Sequence, residues 1–149
     1  MDIVYTINKS SQEDIYKHLQ SCDEDFIPKL SSRVSIKNFS EKIKNYAVFF
    51  EAWNQDILVG MVSGYFNNEA SKVAFINNVS VLSAFSKRGI ARQLLSDALK
   101  YAASKMFLEI HLEVNKNNTQ ALEFYSKNGF HFFNKNGDYL VMKKYCGEI

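Results

Sequence analysis

The chain has 149 residues, 46% hydrophobic and 23% charged, which favours one folded domain over residues 1–149 and excludes wholesale disorder. With 18 Lys and Arg against 16 Asp and Glu, the formal charge is +2, so no global field draws the chain to nucleic acid or to a membrane surface.

Ile3 to Ile7 reads as a first strand. Ser10 to Glu13 has the spacing of a capping box, with Ser10 as the cap, and Ile15, Tyr16 and Leu19 follow at helical intervals to about Cys22. Asp23 to Val34, with Pro28, predicts a loop. Ile36, Phe39 and Ile43 predict a second short helix, capped by Ser35 or Asn38. Ala47 to Trp53 and Ile57 to Phe66 predict a hairpin across Asn54-Gln55-Asp56. Val73 to Val81 predicts a fourth strand. Its polar interruption, Asn77-Asn78, suggests a bulge or an edge facing a ligand; an ordinary water-facing edge is the alternative.

From Gly89 the period changes to that of a helix, with Ile90, Leu94, Ala98, Leu99 and Ala102 on one stripe. Met106 to Val114 returns to strand character. Asn118 to Lys127 predicts a helix closed by Gly129. Phe130 to Lys135 and Asp138 to Lys143 flank Asn136-Gly137, a two-residue hairpin signal. The order β-α-α-β-β-β-α-β-α-β-β predicts a mixed α/β architecture. It has one mostly antiparallel sheet of about seven strands and four helices.

Several chemistries are absent. Cys22 and Cys146 form no CxxC, and the chain reads as carrying two reduced thiols. His18, His111 and His131 have no metal-ligand spacing, so no metal is expected. There is no GxSxG elbow, no P-loop and no GxGxxG. His111-Leu112-Glu113 has the HxE of a zinc deaminase without its PCxxC. Neither a leader peptide nor an apolar run of about 20 residues is evident, so a soluble, cytoplasmic protein is expected.

The informative segment runs from Val79 to Arg92. A strand ends, a polar turn follows, and a helix begins at Gly89. The first amides of a helix lack partners and, with the helix dipole, attract anions. Gly89 and Ala91 keep side chains small there, and Lys87, Arg88 and Arg92 add positive charge. The arrangement suits a pyrophosphate; a basic, solvated loop is the alternative. The second segment is Asn118, Ala121, Tyr125, Gly129 and Phe130, in the register N-x-x-A-x-x-x-Y-x-x-x-G-F.

Together these segments resemble the GNAT family of N-acetyltransferases, closely over Val73 to Phe130. The first is similar to the family's [Q/R]-x-x-G-x-[G/A] signature, with Ser86 where Gln or Arg is usual and Lys87 or Arg88 as compensation. The resemblance implies acetyl-CoA as co-substrate. Its pantetheine arm would lie against Val79, Ser80 and Val81, and its pyrophosphate on Ser86, Lys87, Arg88, Gly89, Ile90, Ala91 and Arg92. Asn118 would bond the pantetheine, and Tyr125 would act as general acid toward the leaving thiolate. Many members carry a base at a position matched here by Asn77, which cannot take a proton. The resemblance therefore implies Glu113, or a water relay, as base. The resemblance also implies a primary amine of a small molecule or protein as acceptor, bounded by Ile15 to Tyr46 with Phe26, Arg33 and Asn77 as candidate contacts. A monomer or homodimer is expected, with neither nucleic acid nor membrane as partner. A non-catalytic acyl-CoA-binding sensor of the same fold is the alternative from another class. A nucleic-acid-binding domain using Lys87, Arg88 and Arg92 is a third, which the small net charge opposes.

Overall fold

A computed structural model describes residues 2–147; Met1, Glu148 and Ile149 lie outside the described residues. The elements in chain order are β1 (Val4–Ile7), α1 (Gln12–Cys22), α2 (Ile36–Tyr46), β2 (Val48–Asn54), β3 (Ile57–Tyr65), β4 (Val73–Val81), α3 (Ile90–Ser104), β5 (Glu109–Asn115), α4 (Thr119–Lys127), β6 (His131–Asn136) and β7 (Tyr139–Tyr145). The predicted order is the observed one. The strands form one sheet in the order β1-β2-β3-β4-β5-β7-β6. Every neighbouring pair is antiparallel except β4 with β5.

Helices cover both faces of the sheet. On one face, Leu94, Leu95 and Ala98 of α3 pack with Phe50, Val62 and Ile110 of the sheet. On the other, Ile15 and Leu19 of α1 and Ile43 of α2 pack with Phe49 and Met61. The alternation of the strands explains the split, since successive side chains leave opposite faces. Gly60 lets α3 come close: a Cβ there would lie 2.8 Å from Ile90 Cγ2 and 3.3 Å from Leu94 Cδ1.

Two local predictions are corrected. The capping box sits one residue later than expected. Ser11 Oγ accepts from Asp14 N–H at 3.0 Å, and Ser11 N–H donates to Asp14 Oδ2 at 3.0 Å. Ser10 is occupied elsewhere. It is fully buried, and both its N–H, at 2.5 Å, and its hydroxyl donate to the carboxylate of Glu51. Glu51 is itself buried on β2 and also accepts from Thr6 Oγ1 at 2.6 Å and Lys9 N–H at 3.0 Å. This carboxylate ties the β1–α1 connection to the sheet. The second correction is the last hairpin. Asn136 pairs with Tyr139, so the turn residues are Gly137 and Asp138 rather than Asn136 and Gly137. Gly137 supplies the positive φ (62°), and Asn136 stays in the ladder with Nδ2 donating to Glu113 Oε2 at 3.1 Å.

The α1–α2 connection is a loop with two single 3₁₀ turns, Asp23–Asp25 and Leu30–Ser32. Asp23 staples them together, accepting from Ser31 N–H and Ser31 Oγ at 2.7 Å each.

The sheet opens in its middle. β4 and β5 pair only from Val73 to Ile76 and from Glu109 to Leu112. Beyond that point β4 continues alone against β3, and β5 continues against β7. The opening starts at a bulge. Ser63 lies opposite Asn78 and Gly64 opposite Ile76, so Asn77 is the extra residue.

Candidate active site

The bulge at Asn77 is held by polar side chains. Ser63 Oγ donates to Asn77 Oδ1 at 2.7 Å, and Asn77 Nδ2 donates to Tyr65 OH at 3.3 Å. A second chain fixes the residues after it. Asn78 Nδ2 donates to Ser80 Oγ at 3.0 Å, and Ser80 Oγ lies 2.8 Å from His18 Nε2. His18 Nδ1 lies 2.9 Å from Leu58 O. The carbonyl can only accept, so Nδ1 carries the proton, Nε2 accepts, and the Ser80 hydroxyl donates. His18 is 3% exposed. Burial lowers its pKa to about 4, against smaller opposing effects of its bonds to Leu58 and Ser80, so it is neutral near pH 7. Both ring nitrogens of His18 are therefore bonded within the fold.

Past the bulge, the backbone direction follows from the ladder. Leu82 N–H donates to Val59 O across the β3 side at 2.8 Å. Backbone groups alternate along a strand, so those of Val79 and Val81 face the opening between β4 and β5. That edge is where an extended chain could add its own donors and acceptors.

The turn after β4 leads into α3. Lys87 has a φ of 62° and Gly89 a φ of 79°, two left-handed residues that swing the chain into the helix. Gly89 is the N-cap, and its carbonyl accepts the first helical bond, from Gln93 N–H at 3.0 Å. The amides ahead of Gln93 have no carbonyl one turn back and are available to an anion. Ser86 Oγ donates to Ser83 O at 2.8 Å, which commits its proton to the turn. Arg88 lies over the Phe85 ring at 5.1 Å.

Two clefts meet here. The helix cleft, of about 600 Å³, runs along Val79, Ser80 and Val81, the Ser86–Lys87 turn, Gly89 to Arg92, and α4. It takes in every residue proposed from the sequence for cofactor binding except Arg88, which lies over the ring of Phe85, itself a lining residue. The loop cleft, of about 310 Å³, lies beneath the α1–α2 loop and brings together Phe26, Arg33, Asn77 and Glu113. Arg33 reaches over the Tyr139 ring at 5.8 Å. Asp25, Val79, Asn118, Ala121 and Tyr125 line both clefts and mark their junction.

α4 sets the floor of that junction. Asn118 is its N-cap, accepting from Ala121 N–H through Oδ1 at 3.1 Å. Tyr125 stands two turns along, packed edge-on to Phe124 and Phe130 with centroids 5.4 and 5.9 Å away. Burial pushes its phenol above the ordinary tyrosine range, so it keeps its proton through neutral pH. Glu113 is exposed on β5 and accepts from Asn136 Nδ2 at 3.1 Å. Sequence reasoning missed Glu51, the Asn78–Ser80–His18 chain and Asp25. Glu51 and the Asn78–Ser80–His18 chain join residues far apart in the sequence, Asp25 meets β4 and α4 only across the clefts, and no local pattern marks any of them. Among the described residues, no group of three His, Cys, Asp or Glu could hold a metal ion, and no helix is long and apolar enough to cross a membrane.

A protein-family model described as "Acetyltransferase (GNAT) family" matches residues 12–130. No curated protein matches the sequence. Among solved structures, the PaiA N-acetyltransferase of Thermoplasma acidophilum, in complex with coenzyme A, is 23% identical. Its TM-score is 0.78, over 97% of this chain and 99% of that one. An aminoglycoside 6'-acetyltransferase type Ii is 19% identical, with a TM-score of 0.79 over 100% and 99% of the two chains. The ribosomal-protein-S18-alanine N-acetyltransferase of Escherichia coli is 15% identical, with a TM-score of 0.72 over 98% and 96%. At these identities the likeness speaks for the fold.

Proposed function

This chain belongs to the acetyltransferase (GNAT) family, whose co-substrate is acetyl-CoA, and on that basis we propose that it transfers the acetyl group to a primary amine of a small molecule or protein by direct attack. One observation carries this reading: the helix cleft and the loop cleft meet at Tyr125, beside the stretch of β4 whose backbone groups face the sheet opening.

The residues fit the co-substrate. Val79 and Val81 offer backbone donors and acceptors to the amides of pantetheine. The α3 amides, with Lys87 and Arg92, offer an anion site to the pyrophosphate. The Ser86 hydroxyl is committed to Ser83 O, so the backbone and these cations carry that site. Asn118, fixed by its cap, lines the path between phosphate site and junction.

The chemistry needs a neutral amine, an electrophilic carbonyl and a protonated leaving group. Glu113 takes one proton from the ammonium, through water across the loop cleft. The freed nitrogen lone pair then forms the N–C bond. The Val79 N–H, facing the opening, donates to the carbonyl oxygen as negative charge builds there. As the C–S bond breaks, Tyr125 gives its proton to the sulfur. The nitrogen loses its second proton, which restores the phenol through solvent, so one proton is released per turnover. Placing both substrates at one junction removes much of the entropic barrier.

The test has two parts. Acetyl-CoA is titrated into the protein by calorimetry. CoA release is then followed with a panel of an amino sugar, a polyamine and a peptide with a free N-terminus. Binding with amine-dependent release supports the proposal. Binding with no release across a broad panel would instead favour the non-catalytic sensor, and no binding would sink both.

A further inference from the structure

We propose that Asp25 is the carboxylate that receives the acceptor's ammonium group at the point of transfer, so that the amine docks as a cation. This rests on the acetyl-transfer reading above and adds the charge state in which the acceptor binds.

Three acidic residues stand in a row on the first turn of the α1–α2 loop, and the structure separates their roles. Asp23 is spent inside the loop, on Ser31 N–H and Ser31 Oγ. Glu24 is paired with Lys29 Nζ at 2.9 Å on the surface. Asp25 has no hydrogen bond or ion pair among the described residues, and it lines both clefts. The other four residues of the junction are Val79, Asn118, Ala121 and Tyr125, none of which carries a charge at neutral pH. Asp25 is therefore the single charged group where the acetyl carbon and the nucleophile must meet. Glu113 lines the loop cleft alone and already accepts from Asn136.

The loop is built to hold Asp25 in place. Asp23 fixes the first 3₁₀ turn to the second, and Leu30 of the second turn is buried against α1 and α2. The stapled turn fixes the backbone that presents this exposed carboxylate, so meeting a cation orders the side chain alone, through a charge-assisted contact. The ammonium thus binds before it is deprotonated. Asp25 orients the nitrogen toward the junction, and the proton leaves toward Glu113. The ligand class that follows is a primary amine protonated near pH 7, rather than an aniline-like or amide nitrogen.

The experiment compares Asp25→Asn and Asp25→Glu with the wild type. Each protein, saturated with CoA, is titrated calorimetrically with the amine panel at low and high salt. Acetyl-CoA affinity is measured separately. Wherever wild type turns over, KM and kcat are read apart. The expected result is an amine Kd and KM raised about tenfold or more in Asp25→Asn, the scale of one lost charge-assisted bond. Its acetyl-CoA affinity should stay within about threefold, and its salt dependence should be lost. Asp25→Glu should recover most of the affinity. Amine binding by Asp25→Asn that equals wild type overturns the assignment. So does a parallel loss of acetyl-CoA affinity, which would mean the loop merely collapsed, and so does failure of every amine to bind the wild-type CoA complex. Wild type that binds amines in an Asp25-dependent way but transfers no acetyl group would instead refute the catalytic reading and leave the docking site standing.

Discussion

Gly89 is the position where a single atom should separate backbone strain from cofactor repulsion. Its φ of 79° is left-handed, and an added Cβ would meet nothing within 4 Å. A side chain at residue 89 therefore clashes with no protein atom. Its cost to the fold is the left-handed conformation itself, about 1–2 kcal/mol for an L-residue. Gly89 lines the helix cleft. Gly89→Ala should cost about 1 kcal/mol of stability and change acetyl-CoA affinity by no more than about fivefold, and Gly89→Asn should cost less, since Asn tolerates this region. Gly89→Glu adds a carboxylate at the phosphate site. At about 4 Å and an effective dielectric of about 20, one such pair repels by about 4 kcal/mol, and rotation of the side chain relieves part of it. The expected loss is about 2–3 kcal/mol, or roughly 30- to 150-fold in Kd. The assay is calorimetric titration with acetyl-CoA and with CoA, beside a urea melt of each variant. A folded Gly89→Glu protein that binds CoA as tightly as wild type would refute the placement of the pyrophosphate.

The phenol of Tyr125 should matter to the reaction and little to binding. Tyr125→Phe is expected to lower kcat by about 10²- to 10⁴-fold, and acetyl-CoA affinity should move by less than about threefold. A kcat within a factor of about two of wild type would remove Tyr125 as the acid. Gly60→Ala should lose about 1–3 kcal/mol in urea unfolding, because the new methyl meets the stiff, branched Ile90 at 2.8 Å. Since Ile90 opens α3, acetyl-CoA binding should weaken in the same variant; full stability would show that α3 can slide. Burial, the main cause, lowers His18 from 6.5 to about 4 in the fold. The unfolded chain then binds the extra proton, so stability falls as pH drops from about 6.5 to about 4, by about 3 kcal/mol in all. Above about pH 6.5 this contribution is complete. Urea midpoints at about pH 4.5 and pH 7 should show the loss in wild type and a smaller one in His18→Gln; equal losses would place the titration elsewhere.

What could be read from the sequence was what is local. The α4 signature is legible because capping at Asn118, the half-buried Tyr125 and the left-handed Gly129 are each set by residues within one helix. The Asn77-Asn78 interruption pointed to the bulge for a similar reason: two polar side chains break an apolar run where the register slips. Where reading failed, the deciding partner was distant. Ser10 and Ser11 are equivalent caps by composition, and only Glu51, forty-one positions away, removes Ser10 from the choice. Glu51 itself sits in an apolar strand with nothing beside it to foretell its burial. Asp25 gave no signal because its meaning depends on α4 and β4 standing opposite the loop.

The split in the sheet makes cofactor and fold partners in one equilibrium. The β1–β4 half and the β5–β7 half are directly paired through four residue pairs alone, Val73 to Ile76 with Glu109 to Leu112. A ligand strand laid in the opening would act as mortar between them. Ligation and cohesion then rise together: at a concentration 100-fold above its Kd, such a ligand adds about 2.7 kcal/mol to global stability. The slowing of amide exchange should be steepest at Val79 and Val81, which gain partners directly. In a cell, the protein's resistance to unfolding would track the supply of acetyl-CoA, so a shortage of its own substrate would loosen the molecule as well as idle it.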